Sequence, residues 1–322
     1  MVFSSLTFLT CFFPIVLALY FVKGSIRWRN GVLLAASLVF YAWGEPIWIV
    51  AMLASTLVNW VCAGMISVAT HPGDRIYRVN VDGTRNILKF CRQCGVGKLV
   101  HVSSVHAIPE KPKGTEIAET TTFSPELVRG DYAKSKAMAT ALVLQAAKEG
   151  LNASVVFPSG IIGPGDLGKG SITNMLLSFL AGKLPLAVKG GYDFVDVRDV
   201  AAGVIACAEH GLPGHGYILS GHYATIRDIL ELVKKTVNLR RSVSYLPICF
   251  AKLVAPLYEK ISLRRREPLY FTPYSIAVLD SNGAFSRNAA AAALGYTPRP
   301  LSSTIRDTVV WLKEKMGGKS QA

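Results

Sequence analysis

The sequence predicts an α/β protein, built on a parallel sheet covered on both faces and preceded by two or three transmembrane helices. Three observations carry that expectation. An uncharged run of 21 residues opens the chain. From about residue 67 helices and strands alternate, and the strands are nearly continuous apolar runs, as in sheets buried on both sides. Finally, a hydroxyl, a phenol and an ammonium recur at a spacing that gathers them at one strand end.

The first 66 residues hold most of the apolar excess behind a composition of 51% hydrophobic and 17% charged residues. "VFSSLTFLTCFFPIVLALYFV" is long enough to span a bilayer, "GVLLAASLVFYAW" is shorter, and "IWIVAMLASTLVNWVCAGMI" is again about a bilayer long. No basic leader or small-residue cleavage site marks the first as a signal peptide. The connecting "KGSIRWRN" holds Lys23, Arg27 and Arg29, so the positive-inside rule sets that loop in the cytoplasm. The expectation is a 1–66 transmembrane segment in a bacterial inner membrane, with 67–322 in the cytoplasm. That remainder keeps 32 basic against 20 acidic residues, net +12, which suits anionic membrane lipid or phosphate-bearing ligands. Nucleic acid is not expected, because "LRRR" at 263–266 and Arg240–Arg241 are short clusters without interleaved aromatics. Cys91 and Cys94 form a lone C-x-x-C in a helix's last turn, with no second pair at zinc spacing, so no metal is expected.

Past "HPGD", "RIYRVNVDGTRNILKFCRQCG" reads as a helix with an apolar stripe and "KLVHVSS" as a buried strand ending on Ser103 and Ser104. "DYAKSK", at 131–136, opens an alanine-rich helix in which Tyr132 and Lys136 stand one turn apart on one face. The strand "NASVVFPSGIIG" follows. A serine orients a carbonyl or alcohol, a tyrosine moves its proton, and a lysine lowers the tyrosine's pKa, which makes Tyr132 and Lys136, with a serine of the Ser103–Ser104 pair, a proton relay. "GPGDLGKG" at 163–170 nearly spells a nucleoside-triphosphate loop, but Gly170 replaces the hydroxyl residue that would hold magnesium.

"YRVNVDGTRNIL", "LVHVSS", "YAKSK", "PSGIIGPGD", "GGYDFVDVRDVAAGV" and "LGYTPRPLSSTIRDTVVWL" come in one order over about 67–315. In that order they resemble the extended short-chain dehydrogenase/reductases, the NAD-dependent epimerase/dehydratase family. "GKLPLAVKGGYDFVDVRDVA" is most similar to the branch near dihydroflavonol reductases and hopanoid-associated sugar epimerases. The resemblance implies a Rossmann-like fold with a small substrate region over about 190–300, NAD or NADP as cofactor, a small-molecule substrate and, in some members, a homodimer. It makes Ser104 the catalytic serine, Tyr132 the general acid/base and Lys136 its partner, which also touches the nicotinamide ribose. Ser103, Pro158 and Ser159 fall on the nicotinamide side. Phe157 stands where many relatives have a basic or polar residue. Phe194 and Asp199 lie on the segment returning to the site, where Asp199 is expected to cap the helix "VAAGVIACAE". Residues 1–64, with "MVFSSLTFLTCFFPIVLALYF", "WRNGVLLAASLVFYAWGEP" and "MLASTLVNW", resemble instead the start of bacterial membrane-bound O-acyltransferases. The catalytic histidine of that family lies in a later helix.

A dinucleotide fold opens with a strand, a glycine-rich turn and a helix whose free N–H groups receive the pyrophosphate. No such turn precedes the serine strand; "GIIGPG" comes after it, too late in the order. At about 30 residues per βαβ unit, roughly 60 or more residues of the family pattern are absent. Three readings stay open, the first two being a nicotinamide-dependent oxidoreductase or epimerase impaired by the missing turn and a non-catalytic fusion remnant. A fragment of an O-acyltransferase is a third. The choice of NAD over NADP rests on a residue in the absent part.

Overall fold

The computed structural model describes residues 10, 12–22, 26–44, 72–168, 170–184, 186–255 and 273–317, in two compact units, 1–72 and 73–322. In the first, helix α1 (Phe13–Phe21) and helix α2 (Ile26–Gly44) are tied by the Trp28 indole, which donates to the Leu19 carbonyl at 2.8 Å, and by the Arg29 guanidinium 5.1 Å from the Tyr20 ring.

The transmembrane expectation is corrected here. Among the described residues no helix is long and apolar enough to cross a membrane. Helix α1 has nine residues and rises about 14 Å, half of a hydrocarbon core of about 30 Å. Helix α2 has 19, but Arg27, Arg29 and Asn30 occupy its start, which leaves an apolar run of the length found in buried or interfacial helices. The expected membrane-spanning fold, the inner-membrane location and the orientation drawn from the basic loop are withdrawn with it. The third apolar segment and the junction near 63–67 lie outside the described residues.

The second unit begins with helix α3 (Pro72–Tyr77), a π-helical turn (Arg78–Asp82) and helix α4 (Gly83–Gln93), where the sequence reads as one continuous helix. Strand β1 (Leu99–Val102), helix α5 (Asp131–Lys148), strand β2 (Ala153–Pro158), strand β3 (Gly160–Ile162) and helix α6 (Ser171–Leu180) follow. Beyond them come strands β4 (Leu186–Val188) and β5 (Gly191–Asp196), helix α7 (Val197–His210), strands β6 (Gly216–Leu219) and β7 (His222–Thr225) and helix α8 (Ile226–Val237). Strand β8 (Ser244–Leu246) and helices α9 (Pro273–Asp280), α10 (Asn288–Leu294) and α11 (Leu301–Gly317) complete it.

The expected parallel sheet is present, in the order β1-β2-β6, with Leu99 opposite Ala153 and Val155 opposite Gly216. Side chains alternate across it with period two. Val155, Phe157 and Ile218 join the core under α4 and α5, whereas Val156, Tyr217 and Leu219 pack on α7 and α10. Alanines 133, 137, 139 and 146 are buried on α5, and small side chains there let the helix lie close to the sheet. Phe157, marked by sequence as an edge of the site, is fully buried and stacks on Phe123 at 5.4 Å. Among the described residues no strand pairs with the outer edge of β1. A second sheet, β3-β5-β7, is mixed, and β4 pairs with β8.

Helix α7 is capped by Asp196, whose carboxylate accepts the Arg198 N–H at 2.8 Å; Asp199, the expected cap, instead accepts from the Arg299 backbone and guanidinium, each at 2.8 Å. Asn282 clips the 111–115 loop to the chain leaving α9, donating to the carbonyls of Thr115 at 2.6 Å and Pro112 at 3.0 Å. Asn282→Ala leaves these carbonyls without their donor and is expected to cost about 1–3 kcal/mol. The check is a lower urea midpoint with an unchanged m-value.

Candidate active site

Strand β1 ends into Ser103 and Ser104, and α5 runs back past that end. Helix α5 starts there because Gly130, at φ 86°, turns the chain in a conformation side-chain-bearing residues avoid. Ser104, 7% exposed, begins a short 3₁₀ turn (Val105–Ala107), its hydroxyl accepting the His106 N–H at 3.3 Å. Tyr132 is 37% exposed, and its phenol is close enough to the Ser104 hydroxyl for that hydroxyl to lower its pKa. Lys136 Nζ donates to the Val102 carbonyl at 3.2 Å. The three residues read from sequence as a relay thus meet at the carboxyl end of β1, where parallel sheets keep their sites.

The electrostatics differ from the sequence expectation. Burial pushes the Tyr132 phenol above its ordinary value, and the Ser104 hydroxyl opposes this only in part. Burial also lowers the Lys136 ammonium. The lysine is bonded to backbone, and it also bears on His101, held at about 4 by burial and by the Lys136 charge. Tyr132 is therefore a protonated phenol at neutral pH, a proton donor first.

Ser103 does not join the trio. It is 4% exposed and its hydroxyl pairs with Thr140 of α5 at 2.6 Å, fixing the helix to the strand end. Pro158 closes β2, and Ser159, buried, follows it with its N–H on the Leu219 carbonyl at 3.3 Å.

Three residues escaped the sequence reading. Asn80, exposed to α5 by the π turn, donates to Ser135 Oγ at 2.9 Å, and Ser135 in turn donates to the Tyr132 carbonyl at 2.8 Å. Its signal was its place in "YRVNVDGTRNIL". π turns often mark functional segments. His106 and Tyr192 stack at 5.6 Å and 7° between ring planes, with His106 6.0 Å from the Tyr132 ring. No local pattern announces either of them.

The nicotinamide end of a dinucleotide fits these residues. Lys136 spends one donor on Val102 and has two left for ribose hydroxyls, and Pro158 and Ser159 end the neighbouring strand. The pyrophosphate end is less well served. Gly163, Gly165 and Gly168 do have a G-x-G-x-x-G spacing between β3 and α6, which the sequence reading missed, having weighed that stretch only as a triphosphate loop. However, β3 lies outside the parallel sheet, and the Asp166 carboxylate accepts the Gly170 N–H at 2.7 Å. An anion of the protein already holds that helix start, against a second anion.

Residues 55–220 match the model of the NAD dependent epimerase/dehydratase family, a match that starts within the stretch read from sequence as membrane segment. The chain is 31% identical over 253 residues to sterol demethylase protein B of Methylococcus capsulatus, covering 77% of this chain and 76% of that one. It is 30% identical over 278 residues to a Synechocystis protein named as a dihydroflavonol 4-reductase, with 81% and 79% covered. Among solved structures, gox2253 superposes with a TM-score of 0.65 at 29% identity, over 76% and 75% of the two chains. The Pseudomonas aeruginosa protein RMD, solved with NADPH, superposes with a TM-score of 0.57 at 21% identity over 76% of each. By family match and by sequence, this chain belongs to the NAD dependent epimerase/dehydratase family, whose members are NAD(P)-dependent.

Proposed function

We propose that this chain carries the proton-transfer half of a nicotinamide-dependent oxidoreductase or epimerase, acting on a sugar-nucleotide, isoprenoid or flavonol-like substrate, and that the chain alone holds its cofactor weakly. The observation that supports the first part is the meeting of Ser104, Tyr132 and Lys136 at the carboxyl end of β1, with the Ser104 hydroxyl acting on the Tyr132 phenol and Lys136 on the Val102 carbonyl. In the reducing direction Tyr132 gives its proton to the substrate oxygen as a carbonyl becomes an alcohol. Ser104 holds that oxygen, and the Lys136 charge stabilises the phenolate left behind. When bound, the nicotinamide ring supplies or accepts the hydride. Ser103 and Asn80 act indirectly, by fixing α5 against β1.

The second part rests on the pyrophosphate end, where no glycine-rich turn precedes the serine strand and the Asp166 carboxylate holds the Gly170 N–H at the glycine-rich start of α6. Titration of the full chain with NADH is expected to give no binding in the micromolar range; micromolar binding overturns the weak-cofactor reading.

That same feature favours a second reading, a non-catalytic remnant. Limited proteolysis separates the two. A resistant core of about residues 73–317 supports an enzyme fold, and rapid loss of that whole part supports the remnant.

A further inference from the structure

We propose that His106 and Tyr192, with Tyr274 and Phe285, form a specificity wall beside Tyr132 that accepts the flat face of an uncharged ring-bearing ketone or alcohol in preference to a nucleoside diphosphate sugar. This rests on the reading of Tyr132 as the proton donor, since the His106 ring lies 6.0 Å from the Tyr132 ring. The four rings make one continuous surface. His106 stacks on Tyr192, meets Tyr132 edge-on and lies 5.9 Å from Tyr274, and Tyr192 meets Phe285 edge-on at 5.8 Å. Ile117 and Val278 join them in lining a cavity of about 210 Å³, whose wall also holds Glu110, Arg129, Lys252 and Asp280. Such a volume is below the roughly 300–1,000 Å³ of sites that enclose a whole drug-sized ligand, and it admits a ring system rather than a nucleotide.

The wall is held rigidly. The Tyr192 hydroxyl lies 3.5 Å from His106 Nε2, and burial keeps that phenol protonated. Burial also keeps the imidazole neutral, its pKa lowered to about 4. Tyr274 is seated on Gly130, where an added Cβ would come within 3.1 Å of the ring, so the wall is anchored two residues before Tyr132.

The charges lining the cavity do not suit a diphosphate. Asp280 is paired with Lys113 at 2.6 Å and with Lys252, so both lysines are engaged by one carboxylate, which leaves a single positive charge on this group. Arg129 is an exposed side chain, and Glu110 adds a negative charge to the same lining. Recognition of a diphosphate calls for converging cationic donors in a desolvated site. Among the described residues this cavity presents aromatic faces, which favour apolar rings.

The test is binding to the full chain without cofactor, read by ligand-observed NMR, with 2-tetralone as the uncharged fused-ring probe and UDP-glucose as competitor. We expect 2-tetralone to bind, His106→Ala to weaken it by about tenfold, and His106→Phe, which keeps a flat ring, to stay within about threefold of the parent. UDP-glucose is expected not to displace it. Displacement by UDP-glucose at equal concentration, or unchanged binding in a folded His106→Ala, overturns the proposal. Tyr192→Phe keeps the ring and loses only the hydroxyl, so it reports on the wall even where Tyr192→Ala does not fold; a loss of a few-fold is expected, and no loss counts against the hydroxyl's part. Tyr132→Phe keeps its ring and is expected to bind 2-tetralone like the parent. Loss of turnover with binding intact in that variant concerns the proton relay alone, and loss of 2-tetralone binding with UDP-glucose bound sinks the wall alone.

Discussion

Tyr132→Phe is expected to lower the reduction of 2-tetralone at millimolar NADH by about 10²–10⁴-fold, the usual contribution of a positioned general acid. The substitution removes one oxygen and keeps the ring that His106 meets edge-on, so binding of the ketone and the melting temperature stay near the parent's. Ser104→Ala and Lys136→Met are expected to reduce the rate as well, by removing the group that holds the reacting oxygen and the charge behind the phenol. The pH profile makes the assignment specific. A proton donor must be protonated in the free enzyme, and burial holds the Tyr132 phenol above its ordinary value of about 10. In the reducing direction kcat/KM is therefore flat through pH 9 and falls only above about 10. In the oxidising direction the phenolate is required, and the rate rises with pH over the same interval. A reducing rate that already falls between pH 7 and 8 points to a donor other than this phenol, as does a Tyr132→Phe variant that keeps the parent's rate.

How much of this was legible in the sequence depends on the range over which each feature is decided. The β1, α5 and β2 succession was readable because each element has its own local signal, a short apolar run, an alanine-rich helix, a second apolar run, and their parallel pairing follows from the alternation. The meeting of Ser104, Tyr132 and Lys136 follows in turn, since a strand end and the first turn of the next helix are bound to be neighbours. The spanning helices were misjudged because hydropathy counts apolar residues without asking where a helix begins, and α2 begins on its own cations. Asp196 and Asp199 both suit a helix start, and only the arrival of Arg299, a hundred residues on, decides that Asp199 pairs and Asp196 caps. Ser103 and Ser104 are adjacent and chemically identical. Strand alternation sends one into α5 and the other toward Tyr132, and which goes where depends on a register the sequence leaves open. The aromatic wall is less legible still, because His106, Tyr192, Tyr274 and Phe285 come from four separate segments and no spacing rule connects them.

Arg198→Met is expected to destabilise the second unit by about 3 kcal/mol, the low end for breaking a buried ion pair from one side. The Asp196 side chain is fully buried at the end of β5, the strand that also carries Tyr192, and it accepts two hydrogen bonds from the Arg198 guanidinium, at 2.9 and 2.7 Å. Arg198 reaches on to Asp307 of α11 at 2.9 Å, and Arg299 stands 3.6 Å from Asp196, so one carboxylate ties strand, helix start and C-terminal helix together. Burial alone would raise the Asp196 pKa; the Arg198 hydrogen bonds overcome it and leave the pKa below its ordinary value. A carboxylate with a lowered folded pKa contributes stability that is fully present above the unfolded value of about 3.9 and is lost as pH falls through the folded one. In Arg198→Met the guanidinium bonds are lost while the backbone N–H at that position, Thr304 and Arg299 remain, so the folded pKa rises and the carboxylate contributes less stability at neutral pH, a loss that disappears once it is protonated. The gap in melting temperature between parent and variant is therefore widest near pH 7, roughly 10 °C for a unit of this size, and closes toward pH 3. Adding Asp196→Asn to Arg198→Met removes the stranded charge and is expected to recover part of the loss at pH 7 and none at pH 3. A gap that stays constant from pH 7 to pH 3 means that Arg198 acts through packing of its aliphatic stem, and the ion pair then has no share in holding the β5 end, and with it the Tyr192 wall, in place.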